Sequence, residues 1–161
     1  MKKVVKFLPL ISAVVAALAL LSLFLPVFTA TAKTGEFKKF PGMAVLIGHT
    51  KELAPGYNGR VLDASLLQLI PYALTVVGVA LAALSFWKKN DVFVWVAVAS
   101  LLVAGICYFL PITFAKEGKD WLMPFTDRLT KVVDLGYGAI LAGICSILGA
   151  CGMVAHKVLN K

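Results

Sequence analysis

Residues 65–114 read SLLQLIPYALTVVGVALAALSFW, then KKND, then VFVWVAVASLLVAGICYFLPITF. Two apolar runs of 23 residues flank a four-residue basic turn, and neither run contains Asp, Glu, Lys or Arg. Crossing a hydrocarbon core about 30 Å thick takes roughly 20 helical residues, so each run is long enough. A soluble core of this length has no reason to exclude charge so completely. The KKND turn is too short for anything but a tight helical hairpin. Trp87 stands just before Lys88 and Lys89, the order expected where an aromatic ring sits at headgroup level and lysines reach water. Trp95 matches that depth at the start of the next run.

Working outward, two more runs have the same character, giving expected spans at Phe7–Thr29, Ser65–Trp87, Val92–Phe114 and Leu135–His156. The whole chain of 161 residues is 60% hydrophobic and 15% charged, with a mean hydropathy of +0.90. Soluble domains run about 45–50% apolar and about 25% charged, so the excess is concentrated in these runs. Helices are expected rather than barrel strands, which are about 10 residues long and alternate in polarity. A helix in lipid also satisfies its own backbone hydrogen bonds. The fold class is therefore an all-α integral membrane protein, a four-transmembrane-helix bundle formed as a single domain over 1–161. Pro9 is placed in a first helical turn, where a missing N–H costs little. Pro26 falls near the far end of the first span, where a stop is tolerated.

Net charge is +8. Segments 1–6, 88–91 and 157–161 hold seven Lys in 15 residues, whereas 30–64 and 115–134 hold nine Lys or Arg in 55. Acidic residues divide one, Asp91, against seven. The positive-inside rule weighs basic residues in short loops close to the spans. This places both termini in the cytoplasm, in a multi-pass plasma-membrane protein. The lysines form a basic rim on anionic lipid and imply no nucleic-acid partner. Lys2–Lys6, an apolar run and Ala30-Thr31-Ala32 have the outline of a secretory signal. The run of about 22 residues exceeds the usual 7–15, so an uncleaved anchor is expected.

The first connecting segment, 30–64, carries turn signals at Phe40-Pro41-Gly42 and around Pro55-Gly56. Between them, Met43–Ile47 reads as either a short strand or an interfacial patch. The second segment, 115–134, has alternating charge with Trp121, Met123, Pro124 and Phe125 interspersed, as for a stretch lying along a bilayer surface. Asp63 and Asp134 precede spans and read as helix N-terminal charges. An internal repeat is visible. Phe24-Leu25-Pro26-Val27 recurs as Phe109-Leu110-Pro111-Ile112, and Tyr72 and Tyr137 each open a following span. Two such hairpins would be parallel copies about an axis along the membrane normal.

In the fourth span Gly138, Ala142, Ser146 and Ala150 recur every four residues, and Gly78 and Ala82 form a shorter version in the second. Small residues at this spacing let another backbone approach closely. The ladder is a helix-packing face within the chain or a face for a partner. Embedded polar groups are few, and Gln68 is expected to reach water from a span end. Proton-coupled transporters normally carry an intramembrane carboxylate, His or Arg; here none lies away from a boundary. Cys107, Cys145 and Cys151 all fall within spans and read as small packing residues. His49 and His156 fall on opposite sides of the membrane and cannot share a metal. No catalytic, metal-binding or cofactor-binding residues emerge.

In topology, with a long first loop, a shorter second loop and both ends inside, the chain resembles four-span junction and adaptor proteins of the claudin type. It lacks their Trp-Gly-Leu-Trp motif and paired loop cysteines. The reading is a non-enzymatic accessory, scaffold or assembly subunit that has the lipid bilayer and a membrane-protein partner or second copy as its neighbours. The alternative is a small transporter or channel component acting as an oligomer.

Overall fold

The computed structural model describes residues 2–31, 37–54, 57–88, 90–110, 116–117 and 133–159. The chain is mostly helical. The main helices are α1 (Lys2–Ala17), α3 (Leu69–Trp87), α4 (Asp91–Tyr108) and α5 (Tyr137–Leu159), with a short α2 (Gly42–Ile47). A 3₁₀ stretch, Leu18–Leu23, prolongs α1, and another, Leu66–Gln68, leads into α3. Among the described residues, four helical segments are long and apolar enough to cross a membrane: Val5–Leu23, Leu66–Trp87, Asp91–Tyr108 and Tyr137–Leu159.

The chain was expected to be all-α, yet among the described residues its connecting segments carry six strands. They are β1 (Pro26–Thr31), β2 (Phe37–Pro41), β3 (His49–Ala54), β4 (Tyr57–Asp63), β5 (Lys116–Glu117) and β6 (Val133–Leu135). The expected first span was too long at its far end. Pro26 pushes Leu25 away from helical dihedrals, and the Val27-Phe28-Thr29 run that follows suits a pleated surface. The third span likewise stops at Tyr108, three residues before Pro111, which itself lies outside the described residues. The last span runs past His156 to Leu159.

The chain divides into two compact units. The first comprises residues 1–21, 70–109 and 141–161. Its core draws on all four long helices: Ala13 and Ala16 from α1, Ala82 from α3, Val98 and Leu101 from α4, Ala150 and Met153 from α5. Many of these are alanine, consistent with helices held by close van der Waals approach rather than by large interdigitating side chains. Large apolar side chains such as Ile11, Val76, Val103 and Leu148 point away from this core and are exposed. Asn90 caps α4, its side chain accepting from Val92 N at 3.0 Å, and Lys157 on α5 pairs with Asp91 on α4.

The second unit comprises residues 22–69 and 110–140. It holds two antiparallel three-stranded sheets, in the orders β2-β1-β6 and β3-β4-β5. Within each, a strand from one connecting segment pairs with a strand from the other. Phe28 stands opposite Leu135 in the first sheet, and Asp63 opposite Lys116 in the second. Asp63 and Asp134 are thus strand residues rather than helix N-terminal charges. Met43–Ile47 is helical and lies in α2. That helix ends on Gly48 at φ 95°, which only glycine adopts freely. Phe28 and Phe40 face each other across the β1–β2 ladder with ring centroids 5.0 Å apart, and His49 meets Phe40 edge-on at 6.0 Å. The expected surface stretch around Trp121–Phe125 lies outside the described residues.

Candidate functional site

The small-residue ladder begins with Gly138, in the first turn of α5 and part of the second unit. A Cβ there would come within 2.7 Å of the Pro26 carbonyl oxygen and 2.8 Å of Leu25 Cβ. Gly138 therefore lets α5 lie on the backbone that starts β1, and its neighbour is a strand and not a helix. Gly136 N donates to Val27 O at 2.9 Å and fastens the same junction.

The other ladder residues belong to the first unit. Ala142 and Ser146 are 0% exposed and Ala150 1%. Their face of α5 is covered by the chain itself. On α3, Gly78 is buried, and a Cβ added to it would lie 2.6 Å from Leu101 Cγ on α4; Ala82 is fully buried. Gly149, not singled out by the four-residue spacing, is as tightly placed: its Cβ would fall 2.8 Å from that of Ala16. The signal for it was its neighbour Ala150; Gly149 itself lies against α1, with Leu101 of α4 at 3.4 Å from the same Cβ position.

Several hydroxyls in the helices bond back to their own helix. Ser12 donates to Leu8 O at 2.8 Å and Ser85 to Ala82 O at 2.7 Å. Thr75 donates to Pro71 O at 2.8 Å and lies 3.1 Å from the Tyr108 hydroxyl. A hydroxyl has one proton. Thr75 spends its proton on Pro71, so Tyr108 is the donor between α4 and α3. Tyr72 packs edge-on against Tyr108 with centroids 5.4 Å apart. Gln68 is 1% exposed, so it does not reach water as expected. Its Oε1 and the Ser146 Oγ find no hydrogen-bond partner among the described residues.

Pro9 lies well inside α1 rather than in its first turn, because α1 starts at Lys2. In a regular helix the N–H of residue 9 would serve the carbonyl of Val5, and proline has no N–H. His156 Nδ1 lies 2.8 Å from that carbonyl oxygen. A carbonyl only accepts, so Nδ1 carries the proton and α5 supplies the bond that α1 cannot. This role for His156 was not seen in the sequence, since it depends on a residue 147 positions away.

Among the described residues, no group of three or more His, Cys, Asp or Glu converges to hold a metal. Cys107, Cys145 and Cys151 are free thiols in α4 and α5. The arrangement offers packing faces and a folded β-unit. The comparisons with known proteins add no family: no protein-family model matches the chain, no curated protein matches it and no solved structure matches it.

Proposed function

We propose that this chain is a four-helix bundle in the plasma membrane, with both termini cytoplasmic. It acts without catalysis as an accessory, scaffold or assembly subunit. The observation carrying this reading is that the connecting segments fold. A passive link between two spans needs only enough residues to turn round. Here both links contribute strands to two shared sheets. With four crossings, both links emerge on the same side, so their strands form one extramembrane module suited to receiving a partner.

The pairing pattern also supports descent from a repeated hairpin. The strand after the first long helix, β1, pairs with the strand before the fourth, β6. The strand before the second, β4, pairs with the strand after the third, β5. Exchanging the two hairpins turns one pairing into the other, as a pseudo-two-fold axis along the membrane normal would.

The test is extraction of a tagged chain in mild detergent, with native mass and identification of bound chains, for wild type and Lys39→Glu. Lys39 is exposed on β2. A defined hetero-complex that loses its partner in Lys39→Glu, with unchanged circular dichroism, is the expected result. A homo-oligomer that passes ions in liposomes would overturn the reading in favour of a channel component.

A further inference from the structure

An open groove of about 470 Å³ runs along the first unit between α4 and α5. Val98 and Leu102 form one wall, and Cys151, Val154, Ala155 and Leu159 line the other. Short side chains, Cys151 and Ala155, on α5 and branched ones, Val98 and Leu102, on α4 line it. Its volume lies within the roughly 300–1,000 Å³ of ligand pockets, but it has almost no polar surface. Along α5 it extends from Ala150 to Leu159, about 14 Å at the helical rise. That is close to half of a hydrocarbon core about 30 Å thick, the depth of one leaflet.

We infer that this groove holds an acyl chain of an anionic phospholipid, whose headgroup rests among the lysines at that end of the helices. The inference rests on the membrane reading above. Three observations favour this occupant. The α5 wall of the groove runs to Leu159 at the end of that helix, and the same last turns carry Lys157, which pairs with Asp91 at the start of α4. Asp91 is the sole acidic residue in segments 1–6, 88–91 and 157–161, against seven Lys. Pairing with Lys157 uses up that one negative charge, and Lys6 and Lys88 stay exposed. The end is thus left strongly positive, complementary to a headgroup of net negative charge rather than to a zwitterionic one, whose phosphate is offset by its own cation. Beyond the groove, towards the middle of α5, Ile144 and Leu148 project as large exposed side chains. A second helix would need close approach along a longer stretch, whereas a flexible tail needs only this length.

Delipidated protein in detergent is titrated with dioleoylphosphatidylglycerol or dioleoylphosphatidylcholine and read by native mass spectrometry. The anionic lipid is expected to bind at least about fivefold tighter, the attraction of about one surface lysine. Ala155→Phe, which fills the groove, should remove that preference. The unaltered chain provides an independent reading. Alkylation of Cys151 by a maleimide, followed on its own peptide, should slow more with phosphatidylglycerol than with phosphatidylcholine. Equal binding and equal protection by the two lipids would overturn the proposal and leave ordinary annular lipid. A wild-type dimer that Ala155→Phe converts to monomer would overturn it in favour of a second copy of the chain. If both lipids bind equally while the hetero-complex above is intact, the groove assignment fails alone and the accessory reading stands.

Discussion

Pro9 removes the donor that Val5 would have met within α1, and His156 replaces it from α5. Removing the replacement leaves a partly buried carbonyl without a partner, which costs about 1–3 kcal/mol. His156→Leu should therefore lower stability in detergent by that amount. In a Pro9→Ala background the helix regains its own donor, so the same substitution should cost under about 1 kcal/mol. Equal costs in the two backgrounds, measured by thermal unfolding, would show that the two residues are not coupled. The Tyr108–Thr75 bond gives a second case. Tyr108→Phe deletes only the donor and should cost about 0.6 kcal/mol, the average for such bonds between membrane helices. Thr75→Val strands the buried Tyr108 hydroxyl and should cost more, about 1–3 kcal/mol. The reverse order would contradict the donor assignment. These individual bonds were not legible in the sequence, because each joins residues distant along the chain. Gln68 was misjudged for a related reason: a residue at a span end is dry when it is packed inside a folded unit, and Gln68 is 1% exposed.

At the scale of elements, the four helices were plain from charge-free length, which depends on composition alone. The strands were not. Segments of two to seven residues carry too little periodicity, and their partners lie far away in sequence: Ala30 stands opposite Val133. The ladder on α5 was legible as a spacing, but its surroundings were not. Gly138 meets strand backbone, and Ala142, Ser146 and Ala150 face the chain's own interior. Ala142→Leu inserts bulk where exposure is 0% and should destabilise by about 1–3 kcal/mol. Ile140→Leu alters a side chain that is 41% exposed and should change stability by less than about 0.5 kcal/mol. Comparable losses from the two, in the same unfolding assay, would mean that this side of α5 does not pack tightly.

For the whole molecule, the proposed orientation rests on where the lysines lie. In a chain with its three cysteines replaced by alanine, Thr50→Cys should react with an impermeant maleimide added outside intact cells. Asn90→Cys should react only after the membrane is opened. Labelling at position 90 from outside would reverse the topology. The exchanged strands make a further whole-chain prediction. Cut within residues 88–91 and co-expressed, the two hairpins should be recovered together, because each lacks strands that the other supplies. Thr29→Pro, in the central strand of the β2-β1-β6 sheet, removes a ladder donor and should lower recovery of the second half severalfold. Undiminished recovery would show that the helices alone hold the halves together.

Strand exchange also sets a timetable for biogenesis. One edge of β1 is completed by β6, yet about 100 residues separate them, and synthesis at 5–20 residues per second takes about 5–20 s to deliver the second. Throughout that interval the nascent first hairpin exposes open backbone donors and acceptors. A charged residue beside such an edge disfavours its pairing with the same edge of another copy, and Lys39 on the neighbouring β2 is exposed.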